Sequence, residues 1–497
     1  MKKLLVFLVG MVLFVQHGQA QVVRHFWLNP MSYNHTLSPT SDGGYILAAA
    51  RDGQWNGFRN TIAVFKLDNA YNIQNTRIIG LPGGTGFDVN VNFEVHDVTE
   101  HVSVDDDGNV TSHYVICGSI SSHGNSSIGM VAIVDMGLNV QSIREYPNAE
   151  VFYSVYADGN YFYVCGKTPT NEGIVMRDFI FPIVIPPVAY VTRFPWEYHK
   201  VKVNNFGRDI VVSGTDYSEV GFTAFNIAGG AFIQIISQQF FISQPPPIPP
   251  QPPRQLQPNS KVVVANDPNN LPRGFILSAM TFSQNPPFGE KYEILTYVFN
   301  TYTAFSSGHV MELYSYGPSP RSVTVLEDMN TVPVIGTNSA RIAWVGYTTI
   351  LPASMRGAFY ITTNLPFLPS QPADYFYFPT FVNPPRYSQL HKVHYHNGNF
   401  HCGGYYTHDN ANNDKTTFVA APERMISNPP ALSDCAWIMQ LEINPLPLPQ
   451  ITPFSPTQMT VRVNFNTWHQ IKGDFCTTDC DDTPLYLPAN NNCGNRP

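Results

Sequence analysis

Five histidines fall within one short stretch: His391, His394, His396, His401 and His408. His394 and His396 are two residues apart, so on a strand they share a face. The intervening Asn397-Gly398 pair is a hairpin signal that folds His401 back beside them. Three imidazoles brought together this way could enter the coordination range of a transition metal. No Asp or Glu accompanies them before Asp409. His394, His396 and His401 are therefore the metal candidates, and the expected outcome is hydrogen-bonding histidines with no metal and no cofactor. A second pattern is His199-Lys200-Val201, which returns as His391-Lys392-Val393, each ahead of a tight turn. His96 or His101 is a candidate third member. If such segments are the innermost strands of a ring, His199, Lys200, His391 and Lys392 line its channel and form an anion or ligand locus.

Other chemistry is sparser. Asp105-Asp-Asp-Gly-Asn109 matches half of a calcium loop, without the distant Glu that completes one. Asp474, Asp479, Asp481 and Asp482 make a similar acidic group near the end. There is no Gly-x-Ser-x-Gly elbow, no His-Glu-x-x-His and no phosphate-binding Gly-Lys-Ser/Thr loop. Carboxylate pairs for glycoside cleavage require distances that a sequence does not hold. Trp55, Trp196, Tyr405 and Tyr406 are aromatics that could stack on a sugar or fill space between sheets.

The elements that must position these residues recur. A run of apolar residues ending in small ones is found at Tyr45–Arg51, Tyr114–Ser119, Phe162–Lys167, Asp209–Thr215, Phe275–Thr281, Val332–Thr337 and Phe400–Tyr405. Turns such as Ser41-Asp-Gly-Gly44, Asp106-Asp-Gly-Asn109, Ala157-Asp-Gly-Asn160 and His396-Asn-Gly-Asn399 precede several copies. Further β-like runs flank them, including Phe152–Tyr156 before and Thr61–Leu67 after. Each unit reads as four antiparallel strands, with the recurring phrase as the second. Copies roughly 50 to 70 residues apart predict an all-β fold, a single seven-bladed β-propeller with four strands per blade. Two spare strand-like segments, Val22–Leu28 and Met459–Phe465, stand outside the units, and one of them is expected to complete a blade begun at the other end.

Ser41-Asp-Gly-Gly-Tyr-Ile-Leu-Ala48 resembles the "DGGYIL-A" repeats of secreted propeller proteins from Bacteroidota-type bacteria. The resemblance implies a propeller exported to the envelope or cell surface, and it carries over no catalytic residue. The β-rich sorting domain with Lys- and Gly-containing motifs that ends many such proteins has no counterpart in this sequence.

Bulk properties bound the rest. Met1-Lys2-Lys3, the apolar run Leu4–Val15 and a small Ala20 form a leader over residues 1–20, predicting export to the periplasm, the cell surface or beyond. The propeller is expected over 21–466 and a Cys-containing tail or cap over 467–497. No later segment is long and apolar enough to span a membrane. A net charge of −8 argues against a nucleic-acid partner. Cys117, Cys165 and Cys402 hold matching places in the phrase and read as small buried residues. Cys435, Cys476, Cys480 and Cys493 are late and allow two disulfides, with Cys476–Cys480 the first pairing considered. Pro-rich runs at Gln244–Pro258, Pro182–Pro187 and Pro445–Pro456 read as loops outside the sheets. Together these features predict a non-enzymatic binding or scaffold module whose partner is a protein or glycan. The alternative is a carbohydrate-active or other hydrolytic propeller with acids at the channel mouth.

Overall fold

Short runs of β-branched and aromatic residues, broken by Asp-Gly and Asn-Gly turns, fold nearly all of the chain into strands. The computed structural model describes residues 23–27, 32–51, 60–83, 86–88, 90–104, 110–122, 126–181, 185–204, 206–242, 254–266, 273–285, 289–314, 324–334, 339–348, 357–368, 371–378, 388–407, 415–422, 437–472 and 476–479. The leader, the Asp105–Asn109 turn, Trp55, His408, Cys435, Cys480, Cys493 and most of the Gln244–Pro258 run lie outside the described residues. So does the proposed Cys476–Cys480 pairing. Helix is all but absent among the described residues, the clearest being the 3-10 turn Ala228–Gly230. None of their helices is long and apolar enough to cross a membrane.

The strands form antiparallel sheets in a propeller-like arrangement: five sheets of five strands, one of ten, and a small two-stranded ladder. In the first sheet the order is Ser32–Pro39, Tyr45–Arg51, Thr61–Leu67, Ile73–Gly80 and then His469–Ile471. The second, third and fourth sheets repeat this plan from Val91–Val104, Val151–Asp158 and Glu197–Val203 outward. The ten-stranded sheet consists of two halves. One runs from Val263–Asn266 to Ala304–Tyr314, the other from Thr324–Pro333 to Gln371–Phe378, and Trp437–Pro445 joins their outer edges. In the last sheet Ser388–His396, Asn399–Thr407 and Lys415–Ala420 are followed by the N-terminal strand Val23–Trp27.

The first strands of successive units touch in order, and Ser388–His396 touches Ser32–Pro39, so the circle of inner strands returns on itself. Second and third strands are buried on both faces, as in Thr61–Leu67 and Asp209–Thr215. Their side chains build the apolar clusters between neighbouring sheets. Val115, Cys117, Phe152, Val164 and Met176 make one such layer, and Leu37, Tyr45, Phe65 and Val419 join the first sheet to the last.

Two expectations need correction. The sheets do not stop at four strands, because a fifth is added from the C-terminal segment. That segment passes around the periphery in reverse order. Trp437–Pro445 lies in the ten-stranded sheet, Thr452–Pro453 on the fourth, Thr457–Thr460 on the third, Asn464–Asn466 on the second, His469–Ile471 on the first and Cys476–Asp479 on the last. This belt crosses residue 466 without a change of role. Of the two spare segments, Val23–Trp27 takes the fourth place in the last sheet, whereas Thr457–Thr460 is an outer strand. The sixth copy of the phrase is also displaced. Val332 and Pro333 end a first strand, and the second strand of that unit is Ala340–Thr348, carrying Ile342-Ala-Trp-Val-Gly346. The Pro445–Pro456 run belongs to the belt, where proline's missing N–H is tolerated at a sheet edge.

The glycines of the phrase have a specific steric cause. A Cβ on Gly166 would lie 1.9 Å from the Val151 carbonyl oxygen, and one on Gly404 would lie 1.9 Å from that of Gln389. Gly118, Gly214 and Gly346 meet first-strand carbonyls in the same way. The first strand bulges beside each of these contacts, which presses its backbone onto the second. Gly166→Ala is therefore expected to destabilise the protein by about 2–3 kcal/mol, the upper part of the overpacking range. A shift of the urea midpoint at unchanged slope checks this; an unshifted midpoint would show that the bulge relaxes freely.

Candidate functional site

Six first strands carry a one-residue bulge at the same level. The ladder skips a residue between Tyr33 and His35, Val95 and Asp97, Phe152 and Ser154, Tyr198 and Lys200, Leu326 and Asp328, and Leu390 and Lys392. The extra residues are Asn34, His96, Tyr153, His199, Glu327 and His391. In the remaining unit a longer excursion does the same. Leu256 pairs with Thr281 and Val263 with Ser278, so residues 257–262 loop out and carry Lys261. A bulge re-aims a side chain that would otherwise pack between sheets.

The side chains of His96, Tyr153, His199, Lys261, Glu327 and His391 converge on one cavity of about 340 Å³. His35, His96, Tyr153, Glu197, His199, Lys261, Glu327 and His391 line it from the inner strands, with Lys167, Tyr217 and Tyr347 behind them. Glu197 faces Lys167 (3.1 Å) and His199 (3.4 Å). Burial alone would raise its carboxyl, but hydrogen bonds and charge from His199 and Lys167 outweigh this and bring its pKa to about 2. Glu327 has the same surroundings from other strands: Lys261 at 2.8 Å and His391 at 3.5 Å. Its pKa is likewise brought to about 2 against the effect of burial.

The imidazole protons can be assigned from their partners. His199 Nδ1 accepts the Val262 N–H at 2.9 Å, so its own proton sits on Nε2 towards Glu197. His391 presents Nδ1 to Glu327, which places a proton on that nitrogen. The Nε2 of His391 and the Nε2 of His96 are buried without a hydrogen-bond partner among the described residues. Burial keeps the His96 pKa below its ordinary value.

Four of the six residues that follow a bulge, Asp97, Lys200, Asp328 and Lys392, build a layer of charge beneath the cavity. Lys200 pairs with Asp328 at 2.9 Å and Lys392 with Asp97 at 2.8 Å. Asp97 also accepts from Ser154 Oγ at 2.6 Å and the Val155 N–H at 3.2 Å. Burial would push both carboxyls up, and the two lysines hold them well below the usual range. The four charges come from four sheets, and Ser154 and Val155 bring in a fifth.

The sequence-derived candidates are now placed. His199 and His391 line the cavity, whereas Lys200 and Lys392 lie in the ion-pair layer. His96 shares the position of these histidines; His101 instead contacts the Gly159 carbonyl. Of His394, His396 and His401, the last two lie together, with ring centroids 6.4 Å apart. His394 approaches Lys200 and Asp328, and burial lowers its pKa to about 3. His401 contacts Tyr71, and its Nε2 lies 3.0 Å from the His396 carbonyl. No group of three His, Cys, Asp or Glu side chains with metal geometry occurs among the described residues. Trp196 is buried against Phe194 and Phe454, and Tyr405 stacks on His391. Cys117, Cys165 and Cys402 are buried free thiols. Glu197, Glu327, Lys167, Lys261, Asp97 and Asp328 are not among the sequence-derived candidates. Aligning units on their first strands, as apolar–any–polar–apolar in Val95–Val98, Tyr198–Val201, Leu326–Met329 and Leu390–Val393, is the signal that finds Asp97, Glu327 and Asp328.

No family model and no curated protein matches the chain. Among solved structures it is similar to a prolyl endopeptidase at 9% identity and a TM-score of 0.31, covering 78% of this chain and 54% of that one. The chain thus spans about half the length of that enzyme. It is also similar to the Dos1 propeller, with 10% identity, a TM-score of 0.34 and coverages of 79% and 95%. A third similarity is to the NanB sialidase of Streptococcus pneumoniae, with 8% identity, a TM-score of 0.38 and coverages of 80% and 69%. At these TM-scores the similarities bear on neither ligand nor reaction.

Proposed function

We propose that the chain is a seven-bladed propeller that binds a protein- or glycan-borne group in its axial cavity without turning it over. Two observations support the blade count. Seven inner strands contact one another in a closed order, and each half of the ten-stranded sheet contains a four-strand unit like those elsewhere. In this reading Trp437–Pro445 stitches two blades together, and Val23–Trp27 closes the ring. The leader pattern over residues 1–20 and the resemblance to secreted Bacteroidota-type propellers support a site of action outside the cytoplasm.

The observation that carries binding over catalysis is the state of the cavity carboxylates. A hydrolase of the two-carboxylate type needs one acid held protonated near neutral pH. Glu197 and Glu327 are both brought to about 2, and each is already engaged by a lysine and a histidine. Such groups orient polar side chains and recognise a ligand; they do not deliver a proton to a leaving group.

The test is a glycan-array and pull-down screen of the chain without residues 1–20, alongside Gln389→Trp, which fills the cavity from its lining. Stable retention of a ligand by the parent, lost in the variant, with no product released, is expected. Release of a cleaved product would overturn the non-enzymatic reading.

A further inference from the structure

Resting on the reading that the axial cavity binds a ligand, we infer that its occupant is a single uncharged sugar residue of a glycan. Charge is the first reason. Glu197 is balanced by Lys167 and Glu327 by Lys261, and the layer beneath holds Asp97 with Lys392 and Asp328 with Lys200. An ionic ligand would lose its hydration and meet no uncompensated partner among these pairs.

Hydrogen bonding is the second. His391 Nε2 and His96 Nε2 are buried nitrogens without a hydrogen-bond partner among the described residues, the second 3.7 Å from the Glu94 carboxylate, and a buried group left unsatisfied costs about 1–3 kcal/mol. A hydroxyl group can donate to a ring nitrogen or accept from its N–H, and it accepts from the neighbouring Lys and Tyr donors as well. A sugar ring presents several of them at fixed angles.

Shape is the third. The cavity, about 340 Å³, is at the small end of the ~300–1,000 Å³ range of ligand sites and admits one ring. Tyr217 stands at its edge, 52% exposed, although its hydroxyl reaches Glu197. Its backbone is in the left-handed region at φ 73°, a conformation that costs a tyrosine about 1–2 kcal/mol. An exposed aromatic face held by a strained backbone beside a polar cavity suits the C–H face of a sugar.

The experiment is titration calorimetry of the chain against methyl glycosides of glucose, galactose, mannose, fucose and N-acetylglucosamine, with glucuronic and sialic acids as the charged set. Tyr217→Asn and His391→Leu are titrated in parallel. At least one neutral glycoside is expected to bind, at least tenfold weaker in His391→Leu. In Tyr217→Asn binding should weaken at least fivefold while the melting temperature is unchanged or higher, because Asn accepts the left-handed backbone. That split separates loss of a contact from loss of folding. Tighter binding of the acids, lost in the same variants, would overturn the neutral-sugar inference and leave cavity binding standing. Binding unaffected by both variants, or no binding across the panel, would overturn it as well. Hydrolysis of a bound glycoside would instead refute the non-enzymatic reading and leave the sugar class intact.

Discussion

Ending the chain after Gln450 should lower the melting temperature by about 10 °C and cause self-association. The truncation keeps Trp437–Pro445 but removes the outer strands Thr452–Pro453, Thr457–Thr460, Asn464–Asn466, His469–Ile471 and Cys476–Asp479. Each is a short ladder, reinforced by side-chain and loop contacts. Asn466 donates to Glu145 at 2.6 Å, the Val140 N–H reaches Gln470 at 3.0 Å, and Phe454 packs on Trp196. These bonds lie at a solvent-exposed edge, so a net gain of about 1 kcal/mol per sheet over five sheets gives about 5 kcal/mol in total. For a chain of this size each kcal/mol moves the melting temperature by about 2 °C. The uncovered strands would then present unpaired N–H and C=O groups on five sheets, a template for association. Ile233 and Phe241, already 61% and 58% exposed on the outer strand of the fourth sheet, add apolar surface there. Calorimetry and size-exclusion chromatography read the two effects. A monomer with an unchanged melting temperature would show that the belt is passive.

The belt also marks the limit of what the sequence discloses. Second strands such as Tyr45–Arg51 and Asp209–Thr215 are buried on both faces, so they stand out as unbroken apolar runs whose register is fixed by packing. Outer strands of two to four residues, half exposed and interrupted by proline, carry no such pattern; Thr457–Thr460 alternates with no face fully buried. The sixth phrase was misplaced because Val332–Thr337 imitates the motif, whereas the true second strand has Trp344 where other copies have smaller residues. In the cavity, His199 and His391 were legible because the same dipeptide occurs twice. Glu327 and Asp328 occupy the equivalent bulge with different chemistry, and Lys261 arrives on an irregular excursion. A bulge fixes direction and leaves residue type free, so position is repeated while identity is not.

Lys392→Met should cost about 3–5 kcal/mol at pH 7, the largest loss expected of any single substitution in the ion-pair layer. Asp97, 4% exposed, would keep its hydrogen bonds from Ser154 and Val155 and lose the ammonium 2.8 Å away. Lys200, committed to Asp328 at 2.9 Å, cannot serve both carboxylates at full strength. Adding Asp97→Asn to Lys392→Met should recover part of the loss, because it removes the stranded charge, and the shortfall from additivity measures the coupling. The pH dependence gives an independent check. In the parent protein Asp97 lies below its ordinary value of 3.8, so it contributes stability that is full above that pH and lost as the pH falls. Without Lys392 the effect of burial is far less opposed, and the Asp97 carboxyl rises above 3.8. Its contribution then reverses: the penalty is present at neutral pH and relieved as acid protonates the group. Urea midpoints at pH 7 and pH 3.5 should therefore differ less between parent and Lys392→Met at the lower pH. A deficit that is equal at both pH values would mean that the lost packing of the lysine stem, and not the stranded carboxylate, sets the cost. If that deficit narrows in acid as argued, the four charges are the fastening between sheets that holds the floor of the cavity in place.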